Sequence, residues 1–273
     1  MPRHRGKYNP HNPEPYEISR GKVENFIKCR GCFWLDRVGG VHFPSIPGFN
    51  INSNTDTLLK RDFDQYRGKS AHPFMIANGL GRLEPFAHHD IKKWESALHF
   101  GSSPNHFNCL HKETNLRFGG GLDDVWVNPA DNMLYIVDYK STANLSADPK
   151  PVSLDGQWKA GYKRQMEMYQ FIMRAKGFEV SNTGYFVYVD GQHLDRNGMI
   201  DRIEPGEAWM LFNTSLLEYE GDDSWVEPAL YEIRELLEST DCPKHSDICE
   251  HGIFLREVEE VALSRAQSTI PMD

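Results

Sequence analysis

The stretch "MLYIVDYKST", Met133 to Thr142, constrains the fold of this 273-residue chain more than any other. Its apolar run predicts a strand, and strand side chains alternate between faces. Leu134, Ile136, Asp138 and Lys140 then share one face, and Tyr135, Val137 and Tyr139 the other. An acid and a lysine beside a leucine and an isoleucine need partners, because a lone buried charge is costly. The preceding "PADN" is turn chemistry, and "LRFGGGLDDVWVN" before it reads as a second strand, so the segment predicts a hairpin. Facing strands can bring Asp123 and Asp124 within about 5 Å of Asp138 and Lys140.

The rest of the chain supplies helices around this hairpin. "SRGKVENFIKCRGCFWLDRV" predicts one helix capped by Ser19, and "NTDTLLKRDFDQYRG" a second, closed by Gly68. "VHFPSIPGF" and "GSSPNHFNCLHKETN" read as loops, and "KKWESALHF" as helical. "DGQWKAGYKRQMEMYQFIMRAKGF" predicts a helix ended by Gly177, followed by the strand "NTGYFVYVDG". "AWMLFNTSLLEYEGD" is a strand or short helix, "SWVEPALYEIRELLEST" a helix, and a cysteine-bearing loop precedes a last helix. Strand, strand, helix, strand is the order of an α/β or α+β domain with a central mixed sheet flanked by helices, here after an N-terminal helical region. No linker interrupts it, so residues 17–273 are expected to form a single domain, with its core at about 115–191, behind a flexible tail over 1–16.

Hydrophobic and charged fractions of 39% and 25% are those of a globular protein. No run reaches the roughly 18 apolar residues of a membrane span. The N-terminal residues lack the apolar core of a signal peptide, and five cysteines make an odd set. A reducing cytoplasm is the expected compartment, with no membrane partner. The net charge of −9 argues against affinity built on neutralising many phosphates. Contact with nucleic acid would then be local, assisted by metal ions, or weak.

On residue types alone, Asp138 and Lys140 have two readings. One is a cross-strand salt bridge. The other is a site in which converging carboxylates hold a hard cation such as Mg²⁺, with the lysine positioning an attacking water or stabilising charge on phosphorus. In "GGGLDDVWV…LYIVDYKST" the chain resembles the PD-(D/E)XK nucleases, most closely the RecB-like branch and the CRISPR-associated adaptation nucleases. The match sets Gly120 at the glycine of G-x-x-D, Asp123 at the first acid, Asp138 at the second and Lys140 at the lysine. "QMEMY" is similar to the Q-x-x-x-Y signature of that branch, with Gln165 and Tyr169 one helical turn apart. The resemblance implies a restriction-endonuclease-like core and a Mg²⁺- or Mn²⁺-dependent nuclease, acting in DNA repair, recombination or mobile-element defence.

By the same resemblance Asp123, Asp138 and the backbone carbonyl of Tyr139 are metal ligands, and Lys140 serves the attacking water. Gln165 orients that lysine or the substrate, and Gln165 with Tyr169 binds nucleic acid, either single-stranded DNA or duplex ends. Asp56 aligns with a metal-binding histidine of the family, although a first-turn acid favoured by the helix dipole reads equally well there. Asp124 falls where the family often has a basic residue and is secondary. Whether the enzyme cuts internally or from ends, and DNA or RNA, is left open. The other functional class is a nuclease-fold subunit that binds or assembles without cutting.

Cys29 and Cys32 form an early C-x-x-C, and Cys242 and Cys249 lie late in the chain. Iron–sulfur members of the resembled branch join their chain ends with one early and three late cysteines. Here Gly252 replaces one of the late three. The preferred reading is a set of free, partly buried thiols. The alternative is an iron–sulfur cluster or zinc held two-plus-two, with His245 or His251 able to stand in. Cys109 has no assigned role, and His88, His89, His99, His106 and His111 show no recognised ligand spacing.

Overall fold

The computed structural model describes residues 3–44, 48–99, 101–144, 146–148, 150–194 and 197–268. The elements begin with β1 (Tyr16–Ser19), α1 (Arg20–Lys28), α2 (Arg30–Trp34), α3 (Asn50–Asp64), α4 (Pro73–Ala77), β2 (Glu84–Pro85) and α5 (Ile91–Trp94). There follow β3 (Asn108–His111), β4 (Leu116–Gly119), β5 (Asp124–Asn128), β6 (Met133–Thr142) and α6 (Ala160–Ala175). The chain closes with β7 (Thr183–Gly191), β8 (Phe212–Glu220), α7 (Val226–Glu238) and α8 (Glu250–Ser268). The fold is α+β, with a three-stranded sheet ordered β1-β4-β3 and a five-stranded mixed sheet ordered β2-β5-β6-β7-β8.

Two compact units divide the described residues. One takes them from 1–45, 110–118 and 227–273, the other from 46–109 and 119–226. Each unit is assembled from separated segments, so no linker composition marks the division, and the sequence reads as one domain. The stretch expected to be a flexible tail falls in the first unit, with part of it buried and part exposed. His4 and Tyr8 are buried, with ring centroids 4.9 and 5.3 Å from that of Tyr16.

In the second unit the hairpin turns through Asn132 in the left-handed region, φ +60°. Asn128 and Asp131 side chains accept the N–H groups of Ala130 and Met133, the local bonding that makes these residues turn formers. β5 and β6 are antiparallel with Asp124 opposite Val137. β6 and β7 are parallel with Asp138 opposite Phe186, and α6 lies in the connection between them. β6 is therefore central, buried on both faces from Leu134 to Tyr139.

Its odd face carries the core. Tyr135, Val137 and Tyr139 pack with Trp126, Tyr185, Val187, Met75, Leu83 and Phe63. Phe63 comes from α3, its ring 5.7 Å from Tyr139 and 5.4 Å from Trp126. The even face receives α6, whose Met166 fills the space over Gly184 where a Cβ would stand.

Several elements differ from the sequence reading. The first long helix is split at Cys29, which is extended at φ −161°, ψ 107°. "LRFGGGLDDVWVN" is two strands in different sheets, because Gly119–Gly121 has no side chain to carry one strand through. At Gly119 an added Cβ would lie 2.7 Å from both Asn108 and the Phe107 carbonyl. The segment read as a loop at 101–115 contains β3. The α3 packing makes a direct prediction: Phe63→Ala should lower the unfolding free energy by about 3–5 kcal/mol, measured by urea denaturation.

Candidate active site and metal centre

Register decides which acids meet. Asp124 opposes Val137, so Asp123 stands opposite Asp138 and shares its face, while Asp124 turns to the core face. The side-chain carboxylate of Asp138 is fully buried. Its Oδ1 accepts a 2.5 Å hydrogen bond from Gln165 Nε2 on α6, and its Oδ2 is paired with the Lys140 ammonium. Burial, with the Asp123 charge in support, pushes the Asp138 carboxyl up to about 7 against the attraction of Lys140. Burial also opposes the charge on Lys140, but Asp138 and Asp123 outweigh it and hold the ammonium form.

Asp123 is fixed from the strand next to it. The Tyr139 N–H donates to Asp123 Oδ2 at 3.0 Å. A strand residue presents its N–H and C=O to the same side, so the Tyr139 carbonyl lies on the Asp123 side of β6. On α3, Lys60 Nζ sits 3.0 Å from Asp56 Oδ2 and 3.6 Å from Asp123 Oδ1. Burial and then the Asp123 charge raise the Asp56 carboxyl. Asp56 thus belongs to the same charge cluster, although the ligand oxygens of Asp56, Asp123 and Asp138 do not all lie within 4.8 Å of one another among the described residues.

Tyr169 is 2% exposed, against Phe107 and Gly120. A Cβ on Gly120 would lie 2.8 Å from its ring, which is why the first glycine of the pattern is a glycine. The tyrosine therefore builds the site from within and has little surface to offer a substrate.

Asp124 has a separate task. Its carboxylate accepts from Tyr139 Oη at 2.7 Å and the Val125 N–H at 2.8 Å, and pairs with Arg67 Nη2 at 2.9 Å. This is a buried structural network, so Asp124→Ala should cost about 3–5 kcal/mol by leaving the Tyr139 hydroxyl without its acceptor and Arg67 with only Asp64 and the Phe86 carbonyl as partners. Asp123→Ala, at the partly exposed acid, should cost less than half as much; thermal melts compare the two.

Four further groups complete the site. Lys60 follows Asp56 by one helical turn and is legible from that spacing. Lys140 Nζ lies 4.8 Å from the Tyr162 ring centroid, and Lys159 Nζ is 5.1 Å from both the Tyr162 and Tyr188 rings. Tyr188 is opposite Lys140 in the β6–β7 register, a pairing no local pattern reveals. Beyond them a cleft of about 530 Å³ is lined by Thr142, Asn144, Lys150, Ser153, Lys159 and Asp190.

The first unit carries a second constellation. One ligand atom from each of Cys29, Cys32, His245 and Cys249 lies within 4.8 Å of the others, a group that can hold a metal ion. His245 Nδ1 is 3.4 Å from Cys29 Sγ and 3.3 Å from Cys32 Sγ, and the Cys32 and Cys249 sulfurs are 3.3 Å apart. The break at Cys29 and the glycines at 31 and 252 make room for the imidazole; a Cβ at Gly31 would stand 3.1 Å from its Nδ1. Burial opposes the Cys29 thiolate, but N–H groups of Cys32 and Ser246 and the His245 ring bring the thiol down to about 6. Burial and the neighbouring sulfurs raise Cys32.

Cys242, assigned to this set from the sequence, lies outside it, exposed and near the Gly31 and Pro243 carbonyls. His251 stacks on Phe43 instead.

His88, His89 and Asp90 also bring ligand atoms within 4.8 Å, despite having no recognised spacing. There Lys93 already pairs with Asp90 at 2.7 Å, and the Asp90 N–H occupies His88 Nδ1. His111, read as a loop residue, is buried on β3 and bonded to Thr114 at 2.8 Å.

No family model matches the chain, and no curated protein or solved structure does either. No described helix is long and apolar enough to cross a membrane.

The Asp138 burial sets a pH dependence. Its folded carboxyl is raised above the unfolded value of about 3.9, so the folded state holds the extra proton between about pH 4 and 7. Stability from this group is full below that window and is lost as the pH rises through about 7. Asp138→Asn should therefore flatten the fall of Tm between about pH 4 and 7 relative to wild type.

Proposed function

We propose that the chain is a divalent-metal-dependent nuclease of the PD-(D/E)XK kind, RecB-like in its motifs, which hydrolyses DNA phosphodiester bonds. The observation that carries this reading is Asp138: a fully buried carboxylate in the middle of the central strand β6, bonded to Lys140 and Gln165 and opposite Asp123. An acid raised by burial beside a second carboxylate is a poor structural salt bridge and a good half of a cation site. Asp123, Asp138 and the Tyr139 carbonyl offer the hard oxygen donors that Mg²⁺ or Mn²⁺ takes.

When bound, such an ion supplies Lewis acidity and a more acidic water. The chain's own groups do the rest. The Lys140 ammonium holds the attacking water and a non-bridging phosphate oxygen, and its charged form makes it a stabiliser of developing negative charge. Gln165 fixes the Asp138 oxygen by its 2.5 Å bond, and the Tyr139 N–H fixes Asp123. Lys159, next to the 530 Å³ cleft, adds positive charge where the leaving strand would pass. Local contacts of this kind suit single-stranded DNA or duplex ends on a chain of net charge −9.

Labelled single- and double-stranded DNA incubated with Mn²⁺ or Mg²⁺ should be cleaved. Asp123→Asn and Lys140→Met should each lose at least about a hundredfold in rate. Activity that survives both changes overturns the assignment. The reading as a non-cutting binding subunit is favoured by one observation, the lysines already paired with all three carboxylates. It requires DNA binding without cleavage under the same conditions.

For the second constellation we propose structural zinc. Three thiolates and one imidazole are a zinc donor set, and atoms this close converge on one ion, whereas cluster thiolates are spread over several irons. Metal analysis of the purified chain should return about one zinc per molecule, lost in Cys249→Ser together with several degrees of Tm. Iron with a visible absorption band, or an intact Tm in the metal-free chain, would contradict it.

A further inference from the structure

The carboxylate cluster contains more positive charge than the nuclease pattern accounts for. Asp56, Asp123 and Asp138 are matched by two ammonium groups, and only Lys140 belongs to the D-x-K pattern. The second, Lys60, reaches from the middle of α3 to lie between Asp56 Oδ2 at 3.0 Å and Asp123 Oδ1 at 3.6 Å. Its side chain is 17% exposed, so these contacts are made largely out of water. Asp123 Oδ2 is already committed to the Tyr139 N–H. The oxygen left to coordinate a cation is the one Lys60 faces.

We propose that Lys60 is a built-in competitor for the divalent cation, an ammonium that occupies the free side of the Asp123 carboxylate and must withdraw when the ion binds. The inference rests on the nuclease reading of this site and adds a residue that sets its metal affinity. Two cations cannot share one carboxylate oxygen at about 3 Å in a poorly solvated site without strong repulsion. Lysine suits the exchange, since its compact charge sits on a flexible four-carbon stem and can swing away without moving the helix. Glu95, paired with Lys92 at 2.9 Å, is a further acid whose charge acts on Lys60. The consequence is a site that stays charge-balanced without metal and yields to it only at sufficient concentration.

Mn²⁺ titration by calorimetry on the full chain tests this. Lys60→Met keeps the length of the stem and removes the charge. It should bind Mn²⁺ at least about tenfold tighter than wild type. Lys60→Arg, which keeps the charge, should bind no tighter than wild type. The metal-free Lys60→Met protein should melt below wild type and gain more Tm from Mn²⁺, a readout independent of activity. Equal or weaker Mn²⁺ affinity in Lys60→Met, with wild-type binding abolished by Asp123→Asn, overturns the role of Lys60 and leaves the nuclease reading standing. Mn²⁺ binding that is absent, or that Asp123→Asn leaves unchanged, overturns both.

Discussion

The fully buried carboxylate of Asp138 is the constraint on which the second unit depends. A charge there is tolerable only if every neighbour is arranged for it. Lys140 arrives from two residues along the same strand, Gln165 from α6 packed over that face, and Asp123 from the partner strand of the hairpin. The even face of β6 is thus apolar as far as Ile136 and polar beyond it, while the odd face packs into the core as far as Tyr139. One strand holds a core on one face and a buried charge cluster on the other.

The same economy separates the two adjacent acids. Asp123 and Asp124 are chemically identical neighbours, yet strand alternation sends one to the site and the other into a buried network with Arg67 and Tyr139. Tyr139 serves both: its backbone N–H holds Asp123 and its hydroxyl holds Asp124. In the first unit, Cys29 and Cys32 at the start of α2, and His245 and Cys249 in the loop before α8, bring together segments more than 200 residues apart. A metal ion there would act as a staple on the chain ends.

What the sequence made legible was periodic or local. The alternation of β6, the Asx-bonded turn at Asn128–Asn132 and the glycine-ended helix α6 all follow from short-range rules, and they brought Asp123, Asp138, Lys140 and Gln165 to one place. What stayed hidden depended on register and on distant partners. Tyr188 meets Lys140 only through the parallel β6–β7 pairing. His245 joins the cysteines only because Gly31, Gly252 and the extended Cys29 leave it space. The spacing of Cys242 pointed to membership of that set, but the loop carries its sulfur away. The three-glycine break before Asp123 looked like strand continuity because glycine has no side chain to contradict the apolar pattern around it.

The central claim is that oxygen donors around Asp138 hold a divalent cation. Anomalous scattering from a crystal of the full chain soaked in Mn²⁺ tests it most directly. The expected result is a manganese peak bridging Asp123 and Asp138, with Lys60 turned away from Asp123. Manganese found only at other positions, with both lysines still paired to their carboxylates, would contradict it.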